Sequence, residues 1–149
     1  MNISRHSFFL KPKEEFPKAK QAWEILVVDD ETSVCNAIKM FLEHDGHKVQ
    51  TANSGSKALV LLEQRRFDLV TTDFSMSGMN GDVLAAAIKK RLPNQPILMI
   101  SGNAVREKSS GNPLLAVDLI ISKPFLLADL RKAIDYLMRK LPPNSQLIL

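Results

Sequence analysis

The sequence predicts an α/β fold in which a parallel sheet carries helices on both faces. Five short apolar runs alternate with segments whose apolar residues recur every three to four positions. The runs are apolar at consecutive positions, as is usual for strands that are buried on both faces. Strands that alternate with helices at this rhythm are joined by right-handed βαβ connections, which produce a doubly wound parallel sheet.

Length and composition favour one domain in a reducing compartment. The chain has 149 residues, of which 45% are hydrophobic and 24% charged, enough to bury a single core. Its one cysteine, Cys35, lies in a helical pattern, so we expect a packed side chain and no intramolecular disulfide. No apolar run approaches the roughly 20 residues that span a bilayer. We therefore expect a cytoplasmic protein that does not insert into a membrane.

The positive charge is concentrated at the start of the chain. The formal net charge is +4, and residues 1–22 account for +3 of it, with five basic and two acidic side chains. Because this basicity belongs mostly to an extension, nucleic acid is disfavoured as a partner. The predicted organisation is a basic extension over residues 1–22, one domain over 23–141 and a short tail over 142–149.

The predicted elements follow each other without a repeat or a second domain. Strands are expected at 24–28, 47–51, 67–72, 96–100 and 117–121. Helix boundaries are expected where capping and turn residues interrupt the apolar pattern. They are Gly46 at the end of the first helix, Ser54 or Ser56 at the start and Arg66 at the end of the second, Asp82 and Leu92 in the third, and residues 127 and 140 for the last.

The helix expected between the fourth and fifth strands has a poor sequence. Gly111 costs about 1 kcal/mol and Pro113 about 3 kcal/mol in a helix interior, and the proline also biases Asn112 away from the α region. We predict that this helix is short, ending near Ser110, or largely unwound.

Polar side chains follow four of the predicted strands, where a parallel sheet brings them to one edge. Asp29 and Asp30 follow the first strand, Asp73 the third, Ser101 the fourth and Lys123 the fifth. Ligands bind at this edge of open α/β sheets. Three converging carboxylates repel one another unless a cation is present, and oxygen ligands suit Mg²⁺. A lysine and a hydroxyl beside them would suit a transferred phosphoryl group.

Each of these residues also has an ordinary structural interpretation. Asp29 and Asp30 could cap the first helix, Ser101 could cap the next one, and Lys123 could be a solvated loop lysine. Taken singly, these interpretations are about as good as the functional ones, but the functional interpretation alone accounts for all of these residues together.

Four segments resemble the signature segments of the response-regulator receiver domain of two-component signalling, in order and at the expected spacing over about residues 24–141. They are Val27-Val28-Asp29-Asp30, Thr72 to Gly81, Ile100-Ser101-Gly102 and Ser122-Lys123-Pro124-Phe125. The resemblance implies a flavodoxin-like fold with five strands in the order 2-1-3-4-5, and a stand-alone receiver similar to the chemotaxis regulators.

The resemblance also implies a role for each matching residue. Asp73 would be the phosphoacceptor, forming an acyl phosphate. Asp30, Asp73 and the backbone carbonyl of Ser75 would bind Mg²⁺ directly, and Asp29 would act through water. Lys123 would pair with the phosphoryl oxygens and would precede Pro124 in a cis peptide bond. Ser101 would hydrogen-bond the phosphoryl group as part of the switch.

Two positions and one helix depart from the receiver pattern. Ser77 replaces the usual proline and is expected to loosen its loop without removing a ligand. Ile120 stands at the switch position, where receivers usually have an aromatic residue. The disrupted helix before it belongs to the same output face, so we expect intact phosphorylation chemistry and altered output.

The functional expectation is a non-enzymatic, phosphorylation-dependent receiver. It would accept a phosphoryl group from a histidine kinase or phosphotransfer protein and signal by binding an unidentified downstream protein; a homodimer is a further candidate assembly. The alternative is a phosphorylation-independent adaptor, favoured by Ile120 and the disrupted helix. An aspartate-nucleophile phosphatase is disfavoured, because such enzymes place an Asp-x-Asp motif after the first strand.

Overall fold

A computed structural model describes residues 21–102 and 116–139, together with the backbone of Leu147–Ile148. These regions contain six strands and four helices, and strands and helices alternate as predicted up to the fourth strand. The strands are β1 (Glu24–Val28), β2 (Lys48–Ala52), β3 (Leu69–Asp73), β4 (Ile97–Ser101), β5 (Leu119–Ser122) and β6 (Leu147–Ile148). The helices are α1 (Thr32–His44), α2 (Gly55–Gln64), α3 (Gly81–Arg91) and α4 (Leu127–Arg139).

The strands form one parallel sheet in the order β2-β1-β3-β4-β5-β6. The predicted order of the first five strands is confirmed. The two-residue strand β6 was not predicted, and it pairs with β5 through Leu119–Leu147 and Ile120–Ile148. Because all strands run in one direction, the last residues of β1, β3, β4 and β5 lie at the same edge.

The core has two layers, one on each face of the sheet. Alternate residues of each central strand point to opposite faces, so Ile25 and Val27 enter one layer while Leu26 and Val28 enter the other. One layer is formed with α1 and α4, and the other with α2 and α3. The doubly wound arrangement is therefore confirmed, with strands that are apolar at consecutive positions because both faces are covered.

Turn and capping residues set the ends of two helices. Gly46 follows α1 with a φ of 94°, and its N–H donates to the carbonyl of Glu43 at 2.9 Å, which stops the helix as predicted. Of the two serines predicted at the start of α2, Ser54 and Ser56, the N-cap residue is Ser54. Its Oγ accepts the N–H of Lys57 at 3.2 Å.

Two parts of the prediction differ from the structure or lie beyond it. The second, third, fourth and fifth strands begin one or two residues later than expected. The disrupted helix predicted between β4 and β5 falls on residues 103–115, outside the described residues, as does the extension up to residue 20. In the described regions, no helix is both long and apolar enough to cross a membrane.

Candidate functional site

Three carboxylates meet at the carboxyl edge of the sheet. Asp29 and Asp30 follow β1, and Asp73 is the last residue of β3, the neighbouring strand. One carboxylate oxygen from each of the three lies within 4.8 Å of the others. Asp29 and Asp73 are buried, with 4% and 8% of their surfaces exposed, whereas Asp30 is half-buried. The predicted convergence is therefore present in the structure.

The charge of Asp29 lies in an unfavourable environment. Burial raises the pKa of its carboxyl above the ordinary value, and the negative charges of Asp73 and Asp30 raise it further. A hydrogen bond from the backbone N–H of Glu31 to Asp29 Oδ1, at 2.9 Å, opposes this effect. Neither Asp29 nor Asp30 caps α1, because Glu31 is the N-cap residue and no side chain caps this helix.

Asp30 is held by a residue of the loop between β3 and α3. The backbone N–H of Ser77 donates to Asp30 Oδ2 at 2.9 Å, and the Ser77 hydroxyl donates to the same oxygen at 3.1 Å. These hydrogen bonds lower the pKa of Asp30. Ser77 was expected only to loosen the loop, whereas in the structure it connects the loop to β1. The sequence did contain a signal for this contact, because a serine in place of proline adds a backbone N–H that proline lacks.

Lys123 directly contacts the buried carboxylate of β3. Its Nζ donates to Asp73 Oδ1 at 2.8 Å. Desolvation lowers the pKa of Lys123, but the hydrogen bond and attraction to Asp73, together with Asp29 and Glu31, raise it above its ordinary value overall. The lysine is therefore a cation at neutral pH. It lies in an exposed loop, as the structural interpretation expected, but its ammonium is ion-paired with Asp73.

Ser101 and Ser75 occupy different parts of the same edge. Ser101 is fully buried at the end of β4, and its carbonyl accepts the N–H of Lys123 at 2.7 Å. Ser75 is exposed in the loop that follows Asp73. The peptide bond between Lys123 and Pro124 is cis, as predicted.

Ile120 is a core residue of β5. It is 4% exposed and packs in the layer formed with α2 and α3, opposite Met99 of β4 in the strand register. The neighbouring residues Leu119 and Ile121 face the other layer. An aliphatic side chain therefore fills the position at which receivers usually have an aromatic switch residue.

The start of α3 lies against the end of β3. The N–H of Gly81 donates to the carbonyl of Phe74 at 2.7 Å, and a Cβ at Gly81 would overlap the carbonyl oxygen of Asp73. The loop between them is braced internally, because Asn80 Oδ1 accepts the N–H of Met76 at 3.2 Å. The loop that carries Ser75 and Ser77 is thus fixed at both ends.

The chemistry of this donor set fits a magnesium ion. The donors are carboxylate oxygens, which Mg²⁺ prefers over nitrogen and sulfur. Two of the three carboxylates are buried with a single lysine partner among the described residues, so a divalent cation would relieve their mutual repulsion. The structure therefore supports the predicted class of cofactor.

Residues 25–135 match the family described as the response regulator receiver domain. The chain belongs to this receiver family. Receivers of this family serve phosphorylation-dependent signalling in two-component systems, and this function is supported for the chain by its relatives. Receivers are generally non-enzymatic signalling domains, and they bind Mg²⁺ in an acidic pocket.

The receiver relatives include short chemotaxis proteins. Chemotaxis protein CheY-3 of Vibrio cholerae is 35% identical over 121 residues, which are 79% of this chain and 93% of that protein. Chemotaxis protein CheY of Pseudomonas aeruginosa is 31% identical over 120 residues, covering 78% and 97% of the two chains.

Solved receiver structures have the same fold. CheY4 of Vibrio cholerae superposes with a TM-score of 0.71 and 27% identity, covering 78% of this chain and 99% of that one. TrrA of Thermotoga maritima, solved in complex with Mg(2+)-BeF, gives a TM-score of 0.69 and 30% identity over 76% and 97% of the chains. These matches favour the receiver over the phosphorylation-independent adaptor.

Proposed function

We propose that this receiver accepts a phosphoryl group on Asp73 from a histidine kinase or a phosphotransfer protein. The observation that carries the proposal is the 2.8 Å contact between Lys123 Nζ and Asp73 Oδ1, within the cluster of three carboxylates. This arrangement puts one nucleophilic carboxylate beside one cation at the open edge of a rigid sheet. It supports Asp73 as the acceptor, because Asp73 alone contacts Lys123 among the described carboxylates.

The transfer forms one bond and breaks one. A carboxylate oxygen of Asp73 attacks phosphorus, and the bond from phosphorus to the donor histidine nitrogen breaks, leaving an acyl phosphate. The charge of Lys123 stabilises the phosphoryl oxygens as negative charge accumulates on them. Ser101, buried at the end of the adjacent strand, would donate its hydroxyl to the same group and couple phosphorylation to β4.

Asp29, Asp30, Asp73 and the Ser75 carbonyl are the residues that would hold Mg²⁺, with Asp29 acting through water. When bound, the ion supplies positive charge that offsets the repulsion between the carboxylates and the incoming phosphoryl group. The protein's own contribution is to bury Asp29 and Asp73, fix Asp30 through Ser77 and position Lys123.

The test is the intact mass of the protein after incubation with acetyl phosphate and Mg²⁺. Wild type is expected to gain one phosphoryl group, and Asp73→Asn is expected to gain none because the amide is a poor nucleophile. Asp68→Asn is the matched control, since Asp68 precedes the same strand at its opposite end, where its carboxylate accepts the Glu24 N–H.

Acetyl phosphate is only one donor, so a phosphorylated histidine kinase should be used as a second. A folded wild type that gains no phosphoryl group from either donor would contradict the proposal and restore the adaptor. Labelling of Asp73→Asn to the wild-type level would instead place the acceptor elsewhere.

The remaining parts of the proposal concern the chain as a whole. Residues 23–141 would form the receiver, with 1–22 as an extension and 142–149 as a tail; the family match over 25–135 supports these limits. Self-phosphorylation and self-dephosphorylation would be the only chemistry. The downstream protein, homodimer formation and a cytoplasmic location remain predictions.

A further inference from the structure

We propose that Ser77 is a positioning residue for the metal ligand Asp30, and that it strengthens Mg²⁺ binding by fixing one carboxylate oxygen. The inference rests on the proposed function, since it takes Asp30 as a ligand of Mg²⁺. The carrying observation is that two donors of Ser77, its backbone N–H and its hydroxyl, both point at Asp30 Oδ2, at 2.9 and 3.1 Å.

Asp30 needs such a partner more than the other two carboxylates do. Asp29 and Asp73 are buried, and each has a further contact, to the Glu31 N–H and to Lys123 respectively. Asp30 is half-buried, and Ser77 supplies the hydrogen bonds that the described structure shows to its side chain. Without Ser77 the carboxylate would have to be ordered at the moment of metal binding, at a cost in side-chain entropy.

The two hydrogen bonds leave capacity for a metal. A carboxylate has about four acceptor positions on two oxygens, and Ser77 uses positions on Oδ2 only. Outer hydrogen bonds of this kind orient the ligands of metal sites, and their loss typically weakens metal binding about 10- to 100-fold.

Ser77 also connects two of the proposed ligands. It lies in the loop between β3 and α3, two residues after Ser75, whose carbonyl is proposed to bind the same ion. The loop is braced by the Asn80–Met76 hydrogen bond and by a further one from the Met79 N–H to the Ser77 carbonyl, at 3.0 Å. The two hydrogen bonds from Ser77 to Asp30 thereby fix the distance between the end of β1 and this loop before the metal binds.

The experiment is a titration with Mg²⁺ alone, without a phosphodonor, followed by amide NMR shifts and calorimetry. Ser77→Pro removes both donors and is expected to weaken Mg²⁺ binding about 10-fold. Ser77→Ala keeps the N–H and should fall between wild type and the proline variant. Ser77→Thr keeps both donors and should restore binding. Ser56→Ala, exposed on α2, is the matched control and should leave binding unchanged.

The outcomes separate the inference from the function on which it rests. Unchanged or tighter Mg²⁺ binding in Ser77→Pro and Ser77→Ala, with wild type binding Mg²⁺ and accepting phosphate, would overturn the role of Ser77 alone. Failure of wild type to bind Mg²⁺ would overturn both. If Ser77→Pro does not fold, the order wild type, threonine and alanine still decides the question.

Discussion

Two adjacent aspartates in this receiver have opposite electrostatic environments. Burial and the charge of Asp73 raise the pKa of Asp29, whereas hydrogen bonds from Ser77 lower that of Asp30. Ionisation of Asp29 therefore destabilises the folded state, whereas ionisation of Asp30 stabilises it. Sites that concentrate like charges for function commonly sacrifice stability in this way.

The same substitution at these two positions should have opposite effects on stability. Without Mg²⁺, Asp29→Asn is expected to raise the free energy of unfolding by about 1 kcal/mol, as relief of a strained functional site typically does. The amide oxygen can still accept the Glu31 N–H. Asp30→Asn should lower stability, because it replaces a carboxylate that accepts two hydrogen bonds. Urea unfolding of both variants without Mg²⁺ measures the two changes in the free energy of unfolding.

The advantage of Asp29→Asn should depend on pH and on Mg²⁺. Because the folded pKa of Asp29 is raised, its ionisation destabilises the fold as pH rises from the unfolded value through the folded one. The variant should thus match wild type at low pH and exceed it at neutral pH. Saturating Mg²⁺ should reduce or reverse the difference by stabilising wild type. An advantage that is constant across pH would contradict this account.

At the residue scale, the polar residues at strand ends were predictable and their loop partners were not. Asp29, Asp30, Asp73, Ser101 and Lys123 could be placed at one edge because strand ends fix their positions. The contact of Ser77 with Asp30 joins residues 47 positions apart, and it depends on the path of a loop that no periodic pattern specifies.

The junction of β3 with α3 is the element-scale feature that limits sequence change near the site. Gly81 begins α3, and its Cα approaches the backbone of Asp73 and Phe74 so closely that a side chain cannot be accommodated without movement. Backbone atoms cannot rotate away as a flexible side chain can. The helix start, the proposed acceptor and the loop between them therefore form one rigid unit.

Gly81→Ala is accordingly expected to lower the free energy of unfolding by about 2 kcal/mol, the usual cost of overpacking. It should also slow phosphorylation, since relief of the overlap displaces Asp73. Urea unfolding and the mass assay with acetyl phosphate measure the two effects. Gly102→Ala is the matched control for stability, because an added Cβ there meets no atom of the described residues within 4 Å. A similar loss in both variants would contradict the close-approach argument.

At the element scale, the apolar pattern was sufficient to predict the main strands of the sheet, but not the short outer strand or the residues at which strands begin. Strands covered on both faces leave strong apolar runs, so the first five strands could be predicted from the pattern. Their order in the sheet followed from the resemblance to receivers. Strand β6 has only two residues, and its pairing with β5 comes from proximity rather than pattern. The starts of β3 and β5 differ most from the prediction, because the apolar residues Phe67 and Val117 are buried just before these strands.

Across the whole molecule, the two ends of the sheet have different tasks. The carboxyl edge carries the proposed site, while ion pairs at the opposite edge join the elements. There Asp118 Oδ2 accepts both the Lys89 ammonium of α3, at 2.8 Å, and the Ile97 N–H of β4, at 2.7 Å. Because Asp118 precedes β5, this one carboxylate holds a helix and two strands together.

Asp118→Ala is expected to destabilise the fold by about 3 kcal/mol, since it leaves a largely buried lysine and a buried N–H without this partner. The phosphorylation rate of the folded fraction should remain that of wild type, because the site lies at the other end of the strands. Thermal unfolding and the mass assay together check the separation. Asp118→Asn retains an acceptor for the Ile97 N–H and should lower stability less than Asp118→Ala does. A lower phosphorylation rate in the folded fraction of Asp118→Ala would contradict the separation and show that the two ends of the sheet are coupled.

The burial of Cys35 makes the chain convenient for site-specific labelling. Its Sγ–H donates to the Asp29 carbonyl at 3.3 Å, and burial and the charge of Asp29 raise the pKa of the thiol. Maleimides react with the thiolate, so Cys35 is a slow target. It is also the only cysteine of the sequence. A fluorophore attached at an exposed position such as Met40→Cys would therefore report from one place, with the native cysteine left unchanged.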